Sequence, residues 1–141
     1  MIILHLNVNS FRFKFQHISD ILCKGLADVF VVCETKLDSS FPNAQFRVPN
    51  FSLYRSDRSD RGGGVLVYVN SAIPHCVRND MQSLIDAGLE GLVIECTVAK
   101  KKWLIPCLYK PPSIKDLPFK PSFSKLLDNT ITSSQYVACL G

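Results

Sequence analysis

The amino-acid sequence predicts an α/β domain, and three observations carry that expectation. Two short β-favouring runs near the N-terminus flank an amphipathic helical stretch, which is a strand–helix–strand unit. Beyond residue 50 the helical periodicity gives way to paired apolar runs joined by short polar connections, the pattern of hairpins. Of the 141 residues, 47% are hydrophobic and 20% charged. That composition can bury one core and is too apolar for a disordered tail.

Taken in order, Ile2 to Leu6 reads as a largely apolar strand. Phe15, Ile18, Ile21 and Leu22 then recur on one helical face, with Gly25 placed to end the helix. Val29 to Cys33 is a continuous β-favouring run of the kind buried on both faces. A helical crossover makes its two strands parallel, so Asn7 and Glu34, at their carboxyl ends, are expected at one edge of the sheet. Ligands bind at that edge in open α/β sheets. Phe51 to Tyr54 and Val65 to Val69 are the next expected strands, on either side of an Arg- and Gly-rich connection. Leu92 to Val98 and Trp103 to Tyr109 form another pair, joined across Ala99 to Lys102 and ended by Pro111 and Pro112. Pro106 falls inside the last of these and cannot donate a ladder hydrogen bond, so either a bulge or a degraded copy is expected there. A short helix from Pro121 to Asp128, with Phe123, Leu126 and Leu127 inward, precedes a final strand from Tyr136 to Leu140. Only Gly141 follows that strand. The expectation is therefore a domain incomplete at its C-terminal end.

The net charge is +4. Seven lysines and one acid, Asp116, lie between Lys100 and Lys125, a net +6 that leaves −2 elsewhere. Such a segment could track a phosphate backbone or be a solvated lysine surface. The six cysteines, at positions 23, 33, 76, 96, 107 and 139, form no CxxC pair. Most sit in apolar runs, which implies buried free thiols and a reducing compartment. No signal-peptide pattern follows Met1, and no apolar run approaches the ~18 residues of a membrane span. An intracellular soluble protein without a membrane partner is expected. There is no internal repeat and no low-complexity linker.

Four segments stand at strand boundaries: Leu6-Asn7-Val8-Asn9-Ser10, Cys33-Glu34-Thr35-Lys36-Leu37, Gly62-Gly63-Gly64-Val65 and Tyr109-Lys110-Pro111-Pro112. In this order the chain resembles the endonuclease/exonuclease/phosphatase superfamily. More narrowly it resembles the apurinic/apyrimidinic-like endonuclease domain of LINE-type (non-long-terminal-repeat) retrotransposons, over essentially its whole length. The resemblance implies the N-terminal part of a four-layer α/β sandwich with mixed β-sheets, DNase-like and incomplete at the C-terminus. The family's next motif is Gly-Asp-Phe-Asn after an apolar strand, and here the sequence reaches only its glycine, Gly141. The later Asp and the catalytic His of the family would lie beyond, and His5, His17 and His75 match neither.

The chemistry implied is hydrolysis of a phosphodiester in DNA, assisted by Mg²⁺ or Mn²⁺. By resemblance Glu34 is a metal ligand; read alone, it is a carboxylate at a strand end. Asn7 matches the active-site Asn, and Asn9 a second metal-associated polar group, although both also suit ordinary turns. Lys36 matches a lysine that braces the metal carboxylate, or is solvated. Glu90 matches an acid that orients the catalytic His. Tyr109 matches a tyrosine that hydrogen-bonds the scissile phosphate, or packs as a strand-end aromatic. Lys110 beside it, and Arg55, Arg58 and Arg61 on the Arg- and Gly-rich loop, are candidate DNA-phosphate contacts; alternatively, the interleaved Asp57 and Asp60 neutralise the arginines. Gly62 to Gly64 is not a P-loop, because no Lys-Ser or Lys-Thr pair follows.

The function expected is a Mg-dependent endonuclease module that nicks target DNA for retrotransposition, within a longer nuclear reverse-transcriptase polyprotein, and inactive at this length. The alternatives are a phosphodiesterase of the same superfamily acting on inositol phosphates or sphingomyelin, and a non-catalytic DNA-binding or interaction fragment using the basic 100–125 segment.

Overall fold

A computed structural model describes residues 1–85, 89–112, 124, 125, 128, 136 and 137. In chain order the elements are β1 (Ile3–Asn7), α1 (Phe15–Cys23), β2 (Val29–Cys33), β3 (Phe51–Ser56), β4 (Val65–Asn70), β5 (His75–Val77), β6 (Glu90–Val98), β7 (Lys101–Tyr109) and β8 (Tyr136–Val137). Short 3-10 turns cover Asn43–Phe46 and Asn79–Leu84. The strands form two four-stranded sheets, ordered β1-β2-β4-β3 and β5-β6-β7-β8.

The strand–helix–strand unit forms as its pattern predicts. β1 and β2 are parallel, in register from Ile3↔Val29 to Asn7↔Cys33. The helix buries Ile18 and Leu22 and packs Phe15 and Ile21 at the margin of the same core. Two backbone bonds close its end: Gly25 N–H to the Leu22 carbonyl at 2.9 Å and Leu26 N–H to the Ile21 carbonyl at 3.2 Å. This is the paired closure that a glycine just past a helix permits.

Strand alternation then divides the core. Phe30, Val32, Leu66 and Tyr68 face the helix. Val29, Val31, Cys33, Val65, Val67 and Val69 point the other way, onto Leu92, Ile94, Cys96, Ile105 and Cys107 of the second sheet. All five β2 residues are buried, which is why that run carries no polar face. The outer side of the second sheet packs Val93, Leu104 and Leu108 against Met81, Ile85 and Leu89. The layers are therefore helix, sheet, sheet and a 3-10 segment, an α/β sandwich whose two sheets are both mixed, parallel at β1–β2 and at β7–β8 and antiparallel elsewhere.

Three details differ from expectation. The β6–β7 hairpin turns on Ala99 and Lys100 alone, both at positive φ (50° and 64°), a tighter turn than one spanning Ala99 to Lys102. Pro106 neither bulges nor breaks β7, whose register runs unbroken from Glu90↔Tyr109 to Val98↔Lys101. Counting from that two-residue turn, Pro106 faces Val93 at a non-hydrogen-bonded position. The Val93 carbonyl instead accepts from Arg78 N–H at 2.9 Å, so the missing donor costs the hairpin nothing. Third, β5 is too short to show a periodicity and has no counterpart in the sequence reading.

Of the helix expected over Pro121 to Asp128, Ser124, Lys125 and Asp128 are helical; Phe123, Leu126 and Leu127 lie outside the described residues. So do Lys115, Asp116 and Lys120 of the basic segment and the end of the last strand. Among the described cysteines, Cys33, Cys96 and Cys107 are buried thiols and Cys23 and Cys76 exposed ones. No described helix is long and apolar enough to cross a membrane.

Candidate active site

Because β1 and β2 are parallel, their carboxyl ends emerge together, Asn7 opposite Cys33. The chain leaving β2 then takes a left-handed backbone at Glu34 (φ 55°) and again at Lys36 (φ 53°). Non-glycine residues rarely adopt that conformation, which costs of order 1–3 kcal/mol unless the surroundings enforce it. Here they do. Ser10 and Phe11 donate their N–H groups to the Glu34 and Thr35 carbonyls (both 2.9 Å), and Thr35 and Lys36 donate theirs to Gly64 (3.3 Å) and Gly63 (2.9 Å). Residues 34 to 36 are thus laced between the loop after β1 and the glycine loop before β4.

That lacing fixes one carboxylate. Asn7 donates from Nδ2 to Glu34 Oε1 at 2.9 Å, and the Tyr109 hydroxyl donates to the same oxygen at 2.8 Å. Tyr109 ends β7 of the opposite sheet, so the two sheets meet at this oxygen. Among the described residues no hydrogen bond reaches Oε2. Asn9 enters through its backbone, donating its N–H to Asn7 Oδ1 at 3.2 Å and so orienting the amide. The Asn7 amide, then the Tyr109 hydroxyl, hold the Glu34 carboxyl below the usual carboxylate range, with the charges of Lys36 and Arg58 adding to them and partial burial opposing.

Tyr109 moves the other way. Burial first, then its bond to Glu34 and the nearby Glu34 and Glu90 charges, push its hydroxyl up to about 12. The folded state therefore holds this proton more tightly than the unfolded chain does. The resulting stability is fully present below the ordinary tyrosine value of about 10 and is lost as pH rises through about 12. An absorbance titration, with Tyr109 assigned by difference against Tyr109→Phe, should show that high midpoint. Glu34→Gln should bring it down by removing the charge that the proton shields. A midpoint that ignores Glu34→Gln would mean that the hydrogen bond is not formed in solution.

Glu90 stands opposite Tyr109 in the hairpin register. Its Oε2 accepts the Gly64 N–H at 2.5 Å, and its Oε1 pairs with Arg58 Nη1 at 3.0 Å without a directed hydrogen bond. Glycine is needed above it: a Cβ on Gly63 (φ 73°) would run into the Glu90 carboxylate, and one on Gly64 (φ 89°) into the Thr35 hydroxyl. Glu90 thus clamps the glycine loop against the site. The sequence carries no signal for that clamp, nor for Thr35, which is 0% exposed with a hydroxyl that finds no partner among the described residues.

The arginines separate. Arg58 is 43% exposed beside Glu90, and Arg61 is exposed. Lys36 and Lys110 are half-buried near the cluster's two strand ends. Arg55, a candidate phosphate contact in the sequence, is committed within the fold instead. Its side chain is 9% exposed, and its donors go to Asp57 (3.1 and 2.6 Å), Asn43 Oδ1 (2.9 Å) and the carbonyls of Phe41 (2.6 Å) and Asp38 (2.9 Å). The guanidinium has no donor left for a phosphate. Asp57 neutralises it, the alternative open in the sequence.

Among the described residues no three His, Cys, Asp or Glu side chains gather to hold a metal. One anionic carboxylate with an oxygen clear of hydrogen bonds does fit a hard cation such as Mg²⁺, which keeps several waters and shares itself with substrate phosphates.

A scan against protein-family models finds no match, and neither does a search of curated proteins. Solved structures do match. A 3′-5′ exonuclease (NExo) from Neisseria meningitidis superposes over 99% of this chain and 56% of its own, with a TM-score of 0.67 at 19% identity. The endonuclease domain of TRAS1, a telomere-specific non-LTR retrotransposon, matches 88% of this chain and 52% of its own, with a TM-score of 0.63 at 10% identity. An AP endonuclease, LMAP, from Leishmania major matches 98% and 53%, with a TM-score of 0.65 at 16% identity. The chain spans about half the length of these structures. At such identities the likeness is one of fold: this chain shares the α/β sandwich fold of these nuclease structures.

Proposed function

We propose that this chain supplies the carboxylate side of a metal-dependent endonuclease site that hydrolyses phosphodiesters in DNA. The observation that carries the reading is Glu34, an anionic carboxylate held at a strained turn by groups from both sheets, with Arg58 and Lys36 close enough to lower its pKa. Mg²⁺ or Mn²⁺ held by Glu34 would neutralise charge on the phosphate. The residues of the chain do the rest of this half. Asn7, locked by the Asn9 N–H, keeps Glu34 oriented. Tyr109 keeps its proton at neutral pH and can pass its hydrogen bond to a phosphate oxygen. Arg58, Arg61 and Lys110 supply positive charge for the flanking backbone.

Hydrolysis also needs a general base, and no described residue at this edge is suited to the task. In this reading the base comes from segments beyond Gly141, in the Asp and His motifs of the family the chain resembles. The TRAS1 likeness and the four motifs favour the retrotransposon branch; in this reading DNA is the partner, a longer reverse-transcriptase polyprotein the context and the nucleus the location. The test is nicking of supercoiled plasmid with Mg²⁺. A chain continued through those motifs should nick, chelation should stop it, and residues 1–141 alone should be silent. Nicking by residues 1–141 above a mock-purified control would show that the half-site suffices.

A further inference from the structure

One aromatic side chain near this edge is left unused by the mechanism. In Ser10-Phe11-Arg12-Phe13-Lys14-Phe15 the aromatics alternate with polar or basic residues, yet they do not share one environment. Phe11 is 0% exposed and Phe15 packs on the same core, in edge or tilted contact with Phe11 and Phe46. Phe13, between them, is 74% exposed, more than any other large hydrophobic side chain among the described residues. Leaving a phenylalanine in water forgoes roughly 1.5–3 kcal/mol of burial.

The loop that carries Phe13 is anchored. Ser10 and Phe11 are bonded to the Glu34 and Thr35 carbonyls, and Lys14 N–H donates to the Phe11 carbonyl at 2.9 Å. Three Cα-to-Cα steps separate Phe13 from Ser10, so its Cα lies within about 11 Å of the Cα of the residue that is bonded to Glu34. Arg12 sits with its guanidinium carbon 5.2 Å from the Phe13 ring centre and 4.9 Å from that of Phe41. The arginine stiffens the ring and charges its surroundings, and Lys14 is exposed beside it. An exposed aromatic framed by cations on a fixed loop is the arrangement that stacks on a nucleobase while phosphates meet the charges.

Resting on the nuclease reading above, we infer that Phe13 is a base-stacking contact. It would receive one unpaired or extruded base of DNA beside the Glu34 edge, with Arg12 and Lys14 holding the adjacent phosphates. The site would then favour DNA that is locally unstacked over uniformly paired duplex.

The experiment compares two duplexes: one with a single unpaired fluorescent purine analogue, whose emission falls on stacking, and the same duplex fully paired. With residues 1–141 at low salt, binding should quench the unpaired analogue. Phe13→Ala should abolish the quenching and weaken binding of that duplex about tenfold or more, while binding of the paired duplex changes less than about twofold. Phe13→Trp should keep the quenching. Arg12→Ala should weaken both duplexes and flatten the salt dependence. Circular dichroism checks that each variant is folded. If Phe13→Ala leaves both duplexes alone, or weakens both equally, the stacking contact is overturned and the nuclease reading stands. If the wild-type chain binds neither duplex, the DNA reading falls and the contact with it.

Discussion

Glu34→Ala, placed in a chain that carries the family's Asp and His motifs, is expected to cut the rate of plasmid nicking by at least ~100-fold, the scale seen when a transition-state electrostatic group is removed. Glu34 is the carboxylate where the two sheets meet, and its partners exist to orient it: Asn7 at 2.9 Å and Tyr109 at 2.8 Å. Glu34→Gln separates charge from shape. An amide oxygen still accepts from Asn7 and Tyr109, so the local geometry survives, but a neutral group cannot hold a divalent cation. Both variants should therefore be nearly inactive while unfolding at close to the wild-type denaturant midpoint. Activity retained by Glu34→Gln and lost by Glu34→Ala would make the residue a structural acceptor, not a metal ligand.

The second large effect is on stability and comes from a neighbouring loop. Arg55→Ala is expected to destabilise the fold by about 2–4 kcal/mol, somewhat below the cost of breaking a fully buried ion pair because Asp57 keeps 25% of its side-chain surface. The substitution would orphan the Phe41 and Asp38 carbonyls, the Asn43 amide oxygen and the Asp57 carboxylate together. Arg58→Ala should cost less than about 1 kcal/mol, since its pair with Glu90 is 43% exposed on the arginine side and screened by solvent. The contrast is read from urea midpoints at constant slope. A large loss for Arg58→Ala with none for Arg55→Ala would reverse the assignment of the two arginines.

These two arginines also show where sequence stops being readable. Arg55 and Arg58 have the same chemistry, sit three positions apart and are equally interleaved with aspartates. Only the fold decides that β3 turns Arg55 into the loop of Asp38, Phe41 and Asn43 while leaving Arg58 at the site. The meeting of Asn7 with Glu34 was legible, because a helical crossover forces parallel strands and a common edge. Tyr109 was expected at the same edge because its strand runs toward it, but its arrival from the second sheet was not legible, since hydrophobic pattern does not say how two sheets face each other. Glu90 lies between these cases. Its place at the start of β6 was readable, but its partners, Gly64 and Arg58, come from a loop whose path is set by positive φ and the absence of a Cβ. Pro106 looked like a flaw because pattern shows a strand without showing which way each N–H points. Phe13 went unnoticed because alternating aromatics look alike until burial separates them.

The central claim is that a hard divalent cation is drawn to Glu34, and it can be tested on residues 1–141 without any catalysis. In amide-detected magnetic resonance spectra, added Mn²⁺ broadens signals steeply with proximity to the ion. Broadening should centre on Asn7, Glu34, Lys36, Gly64 and Tyr109, spare the Ala99–Lys100 turn, and vanish in Glu34→Gln. Broadening centred instead on Asp57 and Asp60, or unchanged by Glu34→Gln, would contradict the claim.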